Sequence, residues 1–108
     1  MRIPNILERA EFRSGKMGKC DLVRGEKLSA GLNCFEPGQE HKAHVHEGQD
    51  KLYYVLQGSG RLTVGEERSH FQAGDLALAP AGVEHSLRND GPEKLVVLVI
   101  FAPPPPAS

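Results

Sequence analysis

No stretch of this 108-residue chain is apolar for long enough to span a bilayer, so no membrane partner is expected. It carries no basic patch either. Thirteen Lys and Arg stand against fourteen Asp and Glu, a formal charge of −1, which makes nucleic acid a poor partner. Cysteine is scarce. Cys20 and Cys34 show no C-x-x-C spacing and read as small buried hydrophobes rather than a disulfide or a zinc pair. The opening Met1-Arg2-Ile3-Pro4-Asn5 lacks the apolar region of a signal peptide, and a cytoplasmic protein is expected. Internal repeats, a domain linker and any helical pattern with both caps are also missing.

What the chain does have is short apolar alternation punctuated by glycine and proline. One domain is expected over 1–108, with its core at about 17–102. Apart from a short helical or irregular segment at about 5–12, the pattern predicts strands. These fall at 17–23, 29–36, 41–46, 50–57, 61–64, 68–72, 76–79, 84–88 and 94–102. Gly58-Ser59-Gly60 reads as a hairpin turn. Segment 94–102 is apolar from Leu95 onward and reads as a strand buried on both faces. The prolines at 103–106 cannot join a sheet, so 103–108 reads as a polyproline-type tail. The fold class is all-β, a sandwich or barrel.

Chemistry gathers around His44-Val45-His46. On an extended strand, side chains two apart share a face, so both imidazoles can grip one ion. A metal site needs a third ligand. His85 is the candidate, placed after the turn at Pro80-Ala81-Gly82. His41 is off parity with the pair and is expected to face solvent, as is His70.

The two histidine segments together resemble the cupin superfamily. Its first motif, G-x5-H-x-H with a later glutamate and glycine, is filled by Gly38, His44, His46 and Gly58. Its second, G-x5-P-x-G-x2-H-x3-N, is filled by Gly74, Pro80, Gly82, His85 and Asn89. The resemblance covers about 30–102. It implies a double-stranded β-helix, or jelly roll, in which the three histidines converge on a divalent metal.

One position departs from the pattern. The family's glutamate slot holds Lys51, whose ammonium offers no lone pair and repels a cation. Alternation turns the adjacent Asp50 to the opposite face. Gln49 shares the parity of Lys51 and is the candidate for a weak fourth ligand. The expected metal set is thus His44, His46 and His85, completed by Gln49 or water, holding Zn, Mn, Fe, Ni or Cu. Lys51 and Tyr53 are candidates to line a substrate pocket; core packing is the equal alternative for Tyr53, and for Lys51 the favoured reading is that it curls to the barrel rim with its charge in water. The implied function is a metal-binding small cupin, dioxygenase-like, acting on a small organic molecule. The alternative is a non-catalytic binding or structural cupin, with a sugar isomerase third. A homodimer is expected, because the chain is small and both faces of the apolar stretch Leu95–Phe101 need cover.

Overall fold

Alternation of apolar and polar side chains organises the described residues into nine strands, preceded among them by a single 3-10 turn at Ile6–Arg9. The computed structural model describes residues 1–106, so residues 107 and 108 of the expected tail lie outside the described residues. The strands are β1 (Gly18–Arg24), β2 (Ser29–Phe35), β3 (Glu40–His44), β4 (Asp50–Gln57) and β5 (Ser59–Val64). They continue as β6 (Glu67–Gln72), β7 (Leu76–Ala79), β8 (His85–Arg88) and β9 (Leu95–Ala102).

All pairings are antiparallel. One sheet runs β1-β2-β9-β4-β7 and the other β3-β8-β5-β6. Apart from the β1–β2 and β5–β6 hairpins, the chain crosses between sheets at each connection, which is the jelly-roll arrangement. Gly58 makes one of these crossings. It is not the hairpin turn expected from sequence, because β4 and β5 do not pair with each other. Gly58 has φ of 83°, and a Cβ there would clash with the Lys94 carbonyl oxygen, so only glycine fits this corner.

The inner faces of the two sheets meet in one core. Phe35, Tyr53, Val55, Leu62, Phe71, Leu87, Leu95, Val97 and Val99 are all buried there. Strand β9 supplies every second residue to that core, while its alternate residues face outward. Of the outward set Val96 is buried, and Leu98 and Ile100 are half-buried. A second cluster explains the burial of Val96. Ile6, Ala10 and Phe12 from the N-terminal segment cover Leu32, Cys34 and Val96 on the outer side. Both cysteines are free thiols, and burial pushes the Cys34 thiol up to about 12.

Candidate metal centre

Strands β3 and β8 are neighbours, and their pairing brings the two histidine segments together. At one end the Gly38 N–H donates to the Asn89 carbonyl at 2.8 Å, and the Asn89 N–H donates to Gln39 at 2.9 Å. At the other end the Gly82 N–H donates to the carbonyl of His46 at 3.0 Å. The buried Asn89 side chain locks this junction. Its amide donates to the carbonyls of Phe35 and Glu93 at 3.0 and 2.8 Å and accepts from the Gly91 N–H at 3.1 Å. The residues that set the motif's spacing thus hold the two strands in register.

His44 lies directly opposite His85, with ring centroids 4.1 Å apart. His46 follows β3, with its centroid 4.7 Å from His44 and 5.4 Å from His85. One nitrogen from each of the three lies within 4.8 Å of the others. The Nδ1–H of His44 donates to the Lys42 carbonyl at 2.7 Å, and that of His85 to Val83 at 3.0 Å. These bonds settle the tautomer and leave Nε2 of both rings as a free acceptor. The Nε2 atoms of His44, His46 and His85 are all buried without a hydrogen-bond partner. Three orphaned ring nitrogens this close together, two of them held as acceptors, suit a divalent transition ion. Burial holds all three imidazoles below their ordinary 6.5, His44 to about 4, so they are neutral and ready to coordinate at physiological pH.

His41 departs from expectation. It was expected to face solvent, yet it is half-buried, its Nδ1 is buried and unpartnered, and its ring lies 4.1 Å from His44. The cause is a bulge in β3. His41 pairs with Leu87 and His44 with His85, so three residues of β3 span two of β8. The extra residue reverses the parity and turns His41 inward. Burial first, then the Lys51 charge, lowers His41 to about 3. His70 is exposed, as its position on β6 predicted.

Lys51 points into the barrel rather than to the rim and is only 1% exposed. Its Nζ sits 4.7 Å from the ring centroid of Tyr53 and 5.0 Å from that of Phe101. Burial, with a smaller contribution from Lys19, lowers its pKa from 10.5 to about 7. Asp50 faces outward, where its carboxylate accepts from the Ala81 N–H at 2.9 Å. Gln49 is buried, and its amide nitrogen donates to the Pro103 carbonyl at 3.4 Å. Tyr53 is fully buried in the core, 6.2 Å from His85 between centroids. Its hydroxyl is unpartnered, and burial raises its pKa.

A cavity of about 390 Å³ opens beside the triad, lined among others by Lys19, Asp21, His41, His46, Lys51 and Phe101. Sequence reasoning missed Lys19 and Phe101, because only the pairing of β1 with β2, and of β9 with β2 and β4, carries them to this wall.

A family model described as "Cupin domain" matches residues 31–101. A crystal structure from Thermus thermophilus superposes with a TM-score of 0.93 at 39% identity, covering 97% of this chain and all of that one. An uncharacterized protein of Streptomyces coelicolor is 35% identical over 83 residues, 77% of each chain. The oxalate decarboxylase of Bacillus subtilis is 30% identical over 102 residues, 87% of this chain but only 26% of that protein.

Proposed function

The chain belongs to the cupin family, and from that premise we propose that it is a metal-dependent enzyme that cleaves a carbon–carbon bond in a small organic molecule, with oxygen-dependent cleavage the leading chemistry. The observation that carries this reading is the convergence of three buried, unpartnered Nε2 atoms beside a cavity of about 390 Å³. That volume falls within the usual range for small-molecule sites, about 300–1,000 Å³. A bound divalent ion would supply Lewis acidity and open coordination positions. The carbonyls of Lys42 and Val83 hold the His44 and His85 rings, while Phe101 walls the cavity and packs edge-on against His46 at 5.1 Å. The Bacillus relative is named an oxalate decarboxylase, which supports carbon–carbon cleavage as the reaction class.

A second reading is a non-catalytic binding cupin. It is favoured by Lys51, which occupies the position where the family pattern has a carboxylate. Elemental analysis of the purified protein comes first. Oxygen uptake with catechol-like and β-diketone compounds, and carbon dioxide release from oxalate, follow. A protein that binds none of Mn, Fe, Ni, Cu or Zn refutes the metal-centre reading. Metal without any turnover favours the binder.

The same reading includes a homodimer. On the outer face of the five-stranded sheet, Leu76, Leu78 and Tyr54 are 65, 51 and 39% exposed, beside half-buried Leu52, Leu98 and Ile100. Register places Leu98, Tyr54 and Leu76 in one row and Ile100, Leu52 and Leu78 in the next. A second copy would cover this apolar face. A mass near 11.8 kDa by analytical ultracentrifugation at micromolar concentration refutes it. No helix among the described residues is long and apolar enough to cross a membrane.

A further inference from the structure

We infer that the cavity contains an anion subsite centred on Lys51, so that the ligand is a small carboxylate or enolate whose negative head sits beside the histidine triad. This rests on the proposed function only for the neighbouring ion. The subsite itself is built from side chains outside the triad.

The argument starts from a charge without a partner. Lys51 is among the largest fully buried side chains, yet no carboxylate of the described residues pairs with it. The ion pairs among the described residues are Arg61–Asp90 and Arg88–Glu40, both on the other sheet. Burying an ammonium without a counter-ion is costly, and folds retain such a group where something else neutralises it. The faces of Tyr53 and Phe101 compensate in part.

The rest of the cavity repeats the same imbalance. Lys19, Arg24 and Lys51 line it, against the single carboxylate of Asp21. The three imidazoles bring no negative charge, so a bound divalent cation would leave the cavity still more positive. His41, turned inward by the bulge, adds an unpartnered ring nitrogen to the same neighbourhood. Its Nδ1–H can donate to an oxyanion in one tautomer. Phe101 and Val99 provide an apolar wall for the body of the guest. A carboxylate satisfies the ammonium and this donor together, whereas a neutral amide leaves the charge unpaired.

The test is calorimetry on the full chain, both chelator-treated and zinc-loaded. The probes are oxalate and benzoate, with benzamide as the neutral counterpart of benzoate. At least one acid should bind, and benzamide should bind at least about tenfold more weakly than benzoate. Lys51→Met should weaken acid binding by about tenfold or more while zinc stoichiometry is unchanged. Failure of both acids to bind overturns the inference. So does equal binding of benzoate and benzamide, or unchanged acid affinity in a folded Lys51→Met. Because the acid-against-amide comparison uses the wild type, it decides the question even if that variant does not fold. Acid binding in a chain that takes up none of Mn, Fe, Ni, Cu or Zn supports the subsite and refutes the metal centre, so the two failures are distinguishable.

Discussion

Replacing Lys51 with methionine should stabilise the metal-free protein, and the gain should shrink as pH rises. Lys51 is 1% exposed and has no anionic partner among the described residues, and its pKa falls from 10.5 to about 7. Between those values the unfolded chain holds a proton that the folded chain has released. Stability therefore rises with pH through this window and is lowest where the buried ammonium is still charged. At about pH 7 the penalty is about 4 kcal/mol, from 1.36 kcal/mol per pH unit. Lost contacts with the Tyr53 and Phe101 rings offset about 1–2 kcal/mol. Methionine is unbranched and fits the same channel. The net gain should be about 2–3 kcal/mol at pH 7, falling by about 1–2 kcal/mol by about pH 8.5. Urea unfolding of both proteins in chelator, at several pH values across that interval, measures the difference directly. Cys34 and Tyr53 act with the opposite sign at higher pH, because burial raises both. They cancel in the comparison. A constant difference between the two proteins, or a destabilised variant, refutes the account of Lys51 as a buried, unpaired cation.

The remaining predictions concern the site and its frame. His85→Ala should abolish most metal uptake by elemental analysis while circular dichroism stays all-β, since His85 contributes one of three converging nitrogens. Lys51→Glu should tighten zinc binding by about tenfold or more in calorimetry, because a positive neighbour of the ion becomes a negative one; equal affinities would mean that Lys51 does not sense the ion. The metal-free protein should lose stability as pH falls below about 6.5. His41, His44, His46 and His85 are all lowered, so the unfolded chain takes up protons that the folded chain refuses until about pH 4 for His44 and about 3 for His41. Urea midpoints unchanged from neutral pH down to about pH 5 would contradict those environments. Asn89→Ala should destabilise by about 2–4 kcal/mol in urea, because it leaves the buried Phe35 and Glu93 carbonyls without their donor.

Much of this protein is legible in local pattern. Every expected strand exists, with ends shifted by a residue or two, because alternation and glycine or proline punctuation act over a few residues. Parity with Tyr53 and Val55 places Lys51 on the inward face, but the favoured rim reading failed, because whether its stem stays inside depends on the walls that other strands supply. The three metal candidates follow from paired motifs whose spacing encodes the contact between β3 and β8. What the local pattern missed depends on contacts between distant segments. The role of Gly58 depends on whether β4 and β5 share a sheet, which pairing across the whole barrel determines. His41 reads as outward on any regular strand. Only the bulge, visible as a register shift against β8, turns it in. Lys19, Lys51 and Phe101 lie on three different strands, and no spacing along the chain links them. Their meeting around one cavity is a property of sheet order. Local sequence dictates which face each strand buries, because that depends on a period of two. Which strands then face each other depends on how the buried faces of the whole chain can be covered at once, and that only the tertiary structure decides.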